Sequence, residues 1–128
     1  MAALSNYLEN ALINATLRNT SYTSPATVYV GLFLSDPTDA GSGTEVSGGS
    51  YAREAMAFDA PSNGASVNSA AVEFNQATGD WGTIPYFAIF DASTSGNMLY
   101  HGALTTSKTI ETGDVFKFAA GSVTVTLA

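Results

Sequence analysis

Short apolar segments recur along this chain with turn residues between them, and that spacing restricts the folds open to it. "TVYVGLFL" (27–34) is β-branched and aromatic on both faces, as a strand covered on two sides must be. "YAREAMAF" (51–58) alternates, with Ala52, Glu54, Met56 and Phe58 on one face and Tyr51, Arg53, Ala55 and Ala57 on the other. "DAPSNG" carries Asn63-Gly64, a strong hairpin signal, and "ASVNSAAVEF" (65–74) after it gives one strand or two short ones. "TIPYFAIFD" (83–91) is the second strongly apolar strand, and Pro85 places its early part at an edge or a bulge. "MLYHGAL" (98–104), a separate short strand in "TTSKTIE" (105–111), "VFKF" (115–118) and "VTVTLA" (123–128) complete the series. About eight short strands at intervals of roughly 8–12 residues mark an antiparallel sandwich or barrel.

One segment breaks the pattern. Residues 4–18, "LSNYLENALINATLR", place Leu4, Leu8, Ala11, Leu12 and Ala15 at helical spacing on one stripe. Ser5 or Asn6 can cap the start, and Asn6 with Glu9 has capping-box spacing. Pro25 forbids continuation past "RNTSYTSP". Asn10 and Asn14 are poor helix formers, so packing has to hold this helix in place. The predicted fold is mainly β: an antiparallel β-sandwich or barrel-like domain of about eight strands with one N-terminal α-helix. At 128 residues a single domain is expected over 1–128, with a helix and arm over 1–20 and the β-sandwich over 24–128.

Charge narrows the partners. Eleven acids face four bases, Arg18, Arg53, Lys108 and Lys117, for a net charge of -7. Nucleic-acid binding rests on basic residues that neutralise phosphates, so no nucleic-acid partner is expected. The same balance argues against an anionic membrane surface. No apolar run approaches the roughly 20 residues of a membrane span. The start, Met-Ala-Ala-Leu-Ser-Asn, lacks the basic and apolar regions of a signal peptide, which predicts a soluble protein made in a cytoplasm. Cysteine is absent, which removes disulfide and thiolate chemistry.

The search for a reactive site returns structural readings. "GSGTEVSGG" (41–49) has no lysine, holds Glu45 and leads into a strand, so it is neither a P-loop nor a dinucleotide fingerprint. Asp36, Asp39 and Glu45 offer the oxygen ligands that calcium takes, but not at EF-hand spacing, and no metal site is assigned. His101 is the single histidine and lies in an apolar strand, where one structural hydrogen bond is the expected role. There is no Gly-x-Ser-x-Gly elbow and no His-Glu-x-x-His. No catalytic residue and no cofactor are therefore expected. Most aromatics sit inside apolar strands and read as core. Tyr7, Tyr22, Tyr51 and Trp81 flank loops or the helix and are the better candidates for partner contacts, sugars being a lesser alternative. Loop 36–50 is expected to be an exposed connection in contact with neighbouring subunits. Arg53 behind it is expected to pair with a carboxylate of this chain or of a neighbour.

Four stretches, "LSNYLENALINATLRNTSYTSP", "TVYVGLFLSDPTDAGSGTEVSGGSYAR", "NSAAVEFNQATGDWGTIPYFAIFDA" and "NMLYHGALTTSKTIETGDVFKFAAG", resemble in their order a family of small bacteriophage virion proteins. Members are labelled either capsid decoration (cement) protein or tail fibre protein. The resemblance implies a structural, non-enzymatic role in the virion after assembly in the host bacterial cytoplasm. A fibre shaft would need length or repeats, so the capsid exterior is the expected position. There the subunit, as a homotrimer, would bridge the major capsid protein and resist internal pressure. The alternative is a tail fibre or tail-tip component bound to other tail proteins. The residues expected at the partner interface are Leu8, Leu12, Tyr22, Asp36, Asp39, Glu45, Tyr51 and Arg53.

Overall fold

The computed structural model of the chain describes residues 2–127. In chain order its elements are β1 (Ala2–Leu4), α1 (Asn6–Leu17), β2 (Tyr29–Phe33), β3 (Glu54–Ala55), β4 (Ala65–Val67), β5 (Val72–Glu73), β6 (Gly82–Phe90), β7 (Met98–Ile110), β8 (Lys117–Phe118) and β9 (Thr124–Thr126). Seven strands form one curled sheet in the order β3-β2-β6-β7-β1-β9-β4, shaped as a half-barrel, and β5 and β8 pair as a separate two-stranded sheet. The protein is thus mainly β and barrel-like, with its helix at the N-terminus, as the spacing of apolar segments predicts.

The sheet is antiparallel except at one place. β1 pairs with β7 antiparallel, Ala3 opposite His101, and with β9 parallel, Ala2 opposite Val125. The sheet is therefore mixed. From sequence Leu4 belongs to the helix and Ala2–Leu4 carry no strand signal, because alanine has little strand preference. Its position between two strands imposes the extended form, and Ala2 is buried.

Three further elements differ from expectation. β7 is one strand of thirteen residues, where the composition suggested two. Its second half is Thr/Ser/Lys-rich because that part is solvent-exposed, while β6 still pairs along it, with Thr83 and Thr109 hydroxyls 2.9 Å apart. β3 keeps only two residues of 51–58. Beyond Met56 the chain leaves β2 for the opposite edge of the sheet: Asp59 N donates to Val67 O and Ser69 N to Ala57 O, both at 2.9 Å. These bonds draw the two ends of the curled sheet together. Pro85 falls at the register shift between Ile84 and Tyr86, so it makes a bulge and β6 stays internal.

Asn63-Gly64 forms the expected two-residue turn, with φ of 52° and 76° and Ser62 and Ala65 exchanging both backbone bonds. Residues 65–74 resolve into two short strands, β4 and β5.

The concave face carries the core. Val30 and Leu32 of β2, Phe87 and Ile89 of β6 and Val125 of β9 pack with Val72 and Phe118 of the small sheet. Phe74 is the centre of an aromatic group, with ring centroids 5.6 Å from Phe116, 6.2 Å from Tyr51 and 6.5 Å from Trp81. Such pairs add about 0.5–1.5 kcal/mol each beyond area burial. Trp81, expected at a partner surface, is buried here, and its Nε1 donates to Gly49 O at 2.9 Å.

α1 begins at Ser5, whose Oγ accepts from Leu8 N at 3.1 Å; Asn6 is already helical and forms no capping box with Glu9. Leu8 is the buried residue of this helix, whereas Leu12 is half-buried and Ile13 and Leu17 are 52% and 79% exposed.

Asn68 is the buried polar residue that sequence reading passed over. Its Oδ1 accepts from Val123 N at 2.8 Å, and its Nδ2 donates to Ala119 O at 2.9 Å and Ala70 O at 3.0 Å. It therefore ties the end of β4 to the turn before β9. Asn68→Ala leaves those backbone groups unpaired and is expected to cost about 2–4 kcal/mol in urea unfolding. A loss within experimental error would show that the tie is not needed.

Candidate functional site

The outer, convex face of the sheet gathers most of the residues singled out from sequence. On β2, Tyr29, Gly31 and Phe33 alternate with the core residues Val30 and Leu32 and so face outward. Phe33 stacks on Phe90 with centroids 6.0 Å apart. The guanidinium of Arg53 lies 3.5 Å from the Phe90 ring centroid, a cation–π contact.

Arg53 is held from several directions. Its Nε and Nη2 donate to Glu45 Oε2 and Oε1, both at 2.9 Å, a bidentate pair. Its Nη1 donates to Ser95 O at 2.8 Å and Ala92 O at 3.1 Å, in the β6–β7 turn. Asp91 closes that turn from its own side by accepting from Asn97 N at 2.7 Å. The carboxylate expected for Arg53 is therefore in its own chain.

The reason for the clasp lies in the edge of β2. Residues 44–46 pair with 32–34 through Leu34 N to Thr44 O at 2.8 Å and Val46 N to Leu32 O at 2.9 Å. β3 pairs further along, Val30 opposite Glu54. Between them the edge strand is interrupted, and Leu32 N would have no carbonyl to meet. Tyr51 fills the gap: its hydroxyl accepts from Leu32 N at 2.9 Å and donates to Glu45 Oε2 at 2.6 Å. A phenol thus replaces one backbone acceptor of the ladder, and Glu45 and Arg53 join the two lips of the interruption.

Glycine permits this arrangement at two points. A Cβ on Gly31 would lie 2.7 Å from Glu45 Oε2 and 3.1 Å from the Tyr51 hydroxyl. Gly49 has φ +58° and a Cβ there would meet Gly79 O and Trp81 Nε1 at 2.9 Å. The Gly/Ser-rich loop is therefore a close-packed connection at its base, while residues 38–44 are exposed.

Asp36, Asp39 and His101 form a second group next to the helix start. His101 Nε2 donates to Asp39 Oδ1 at 2.7 Å, and its Nδ1 lies 4.0 Å from Asp36 Oδ1. Asp39 O accepts from Asn6 N at 2.8 Å, so this one residue ties α1 to the loop and to β7. His101 makes the structural bond expected of it. Tyr22 is half-buried; burial, then Tyr7, Asp91 and Tyr100 nearby, raise its pKa.

The eight expected interface residues thus fall into two sets. Leu8, Glu45, Tyr51 and Arg53 are engaged within the chain, while Leu12, Tyr22, Asp36 and Asp39 keep some exposure. Sequence reading missed Gly31 and the outward apolar residues Ile13 and Leu17. Gly31 inside an apolar strand was the available signal, since glycine there marks a close approach.

Two outcomes are expected. Gly31→Ala forces Glu45 and Tyr51 apart and should lower stability by about 1–3 kcal/mol in denaturant unfolding; an unchanged midpoint would show that the clasp tolerates displacement. Burial and the hydrogen bond to Glu45 raise the Tyr51 pKa well above the ordinary phenol value of 10.0. The unfolded phenol ionises near pH 10 and the folded one does not, so its stabilising effect is complete below about pH 10 and is lost as pH rises above it. Tyr51→Phe should flatten that alkaline decline, measured by unfolding between pH 8 and 11 as a bracket of the tyrosine range. An equal decline in the variant would assign it to other groups.

No curated protein sequence matches the chain. A family model described as Podophage GP4 fiber I protein gp80 matches residues 3–126. That span takes in the strands of the curled sheet, the clasp and the helix, and the chain belongs to this family of bacteriophage virion structural proteins.

Proposed function

We propose that the chain is a non-enzymatic component of the phage tail fibre, assembled in the host cytoplasm with sister copies and other tail proteins. The observation that carries this reading is the match to a fibre-protein family over nearly the whole chain. It favours the tail over the capsid exterior, the position expected from sequence. A long fibre shaft needs length or repeats, and this chain of 128 residues has neither. A short, tightly tied β-body suits a fibre module at a junction or tip, which needs neither.

The structure supports a role in contact rather than turnover. The polar groups of the convex face are spent on one another, which fixes the shape of loop 36–53 and the β6–β7 turn. In this reading Leu12, Tyr22, Asp36 and Asp39 touch neighbouring subunits, and Leu8, Glu45, Tyr51 and Arg53 act beneath them by holding the surface in place.

The test is position in the particle. Virions are separated into tail and capsid fractions, the chain is quantified in each by mass spectrometry, and labelled antibody is imaged on intact particles. Recovery with the tail and labelling of tails are expected. Recovery with the capsid, at a stoichiometry comparable to the major capsid protein, would reject the fibre position.

A further inference from the structure

β1 separates β7 from β9 over three residues only, Ala2–Leu4. Neighbouring strands lie about 4.8 Å apart, so two strands parted by a third leave a slot one strand wide where the third stops. The register says which residues border that slot. Ala2 faces Gly102 of antiparallel β7 and Val125 of parallel β9. Continued outward, the same ladders reach Ala103 and Thr124, then Leu104 and Val123, then Thr105 and Ser122. All six line a groove of about 240 Å³, with the core residues Phe87, Phe116 and Phe118 beneath it.

The backbone of β7 beside this groove lacks ladder partners. Its pairing with β6 passes from Ala103 opposite Tyr86 to Lys108 opposite Ile84. Pro85 therefore stands against four residues, Leu104–Ser107, and has no N–H to give them. On the other side, β1 reaches no further along β7 than Gly102. Leu104–Ser107 thus have a partner in neither neighbouring strand, the condition under which a sheet edge accepts a further strand.

Charge marks the same place. Lys108 and Lys117, two of the four basic residues, both line the groove and are exposed. Arg53 is spent on Glu45, whereas neither lysine is paired with a carboxylate among the described residues. In a chain of net charge -7, an acidic partner is repelled by most of the surface and drawn to this groove.

We propose that the groove takes an extended acidic segment of another virion protein as an added strand in line with β1. The segment runs antiparallel to β7 and parallel to β9, with carboxylates on Lys108 and Lys117. Width selects the backbone form, because a helix of about 10–12 Å diameter does not fit a space one strand wide. A sugar would stack on an exposed ring, and Phe87, Phe116 and Phe118 are buried. Carboxylates on one face of a strand stand two or four residues apart, and this sequence has no acidic pair at either spacing. The segment therefore belongs to a different protein and not to a second copy. The identity of that partner rests on the reading of the chain as a contact module of the virion. Binding is measured on the purified chain, so it can fail while the tail position stands, and the reverse.

The probe is a capped, labelled peptide of alternating Glu and Val, titrated into the full-length protein by fluorescence anisotropy and located by amide NMR. One comparison peptide has Lys in place of Glu, and another is N-methylated along the edge that pairs with β7. Saturable binding of the acidic peptide is expected, with shifts centred on 103–107 and 122–124. The Lys peptide, the N-methylated peptide and the double variant Lys108→Gln/Lys117→Gln should each weaken binding by more than about tenfold, equivalent to about 1.4 kcal/mol. Circular dichroism checks the fold of the variant, whose two positions are exposed. No saturable binding, or shifts centred elsewhere, overturns the proposal. Equal binding of the N-methylated peptide rejects strand addition. Equal binding of the Lys peptide, or by the double variant, rejects an acidic partner.

Discussion

Three residues hold the two parts of the sheet in one piece. β3, β2, β6 and β7 form a continuous antiparallel run, and β9 with β4 forms an antiparallel pair between distant parts of the chain. β1 lies between them, antiparallel to β7 and parallel to β9. Without it the order of strands is broken, and the free edge of β7 would expose unpaired backbone groups. The helix also depends on this splice. Ser5 N continues the ladder onto Leu99 O at 2.9 Å, and Ser5 then caps α1, so the direction in which the helix leaves is set by the strand before it.

The core then joins what the splice aligns. Residues from β2, β6 and β9 share one apolar cluster with β5 and β8, and the aromatic group around Phe74 fills its centre. On the other face, the clasp of Glu45, Tyr51 and Arg53 repairs an interrupted edge strand. These two faces do different work. The concave side supplies stability and stays open at one groove, while the convex side spends its polar groups on fixing loops. A virion structural protein gains from both, a packed core and loops fixed in shape.

The fold class was legible because strand spacing and turn chemistry are local. Asn63-Gly64 specifies its turn through positive φ at two residues, and Pro85 specifies a break in register through its missing N–H. What was not legible depends on distant partners. Ala2–Leu4 is a strand because β7 and β9 flank it, and its residues carry no strand preference of their own. Residues 57–59 leave β2 because 67–69 are close in space. The ion pair of Arg53 was foreseeable as a pair, but not the missing backbone acceptor that Tyr51 replaces. Trp81 looked like a surface residue because it borders a Gly/Asp turn, yet Gly49 admits it to the core.

The central claim is that β1 makes the curled sheet a single cooperative body, and native-state amide hydrogen exchange tests it directly. The account predicts that amides of β4 and β9 exchange through the same global opening as those of β6, with matching opening free energies across a denaturant series. Exchange of β4 and β9 through a separate, much less costly opening, while β2 and β6 stay protected, would contradict it.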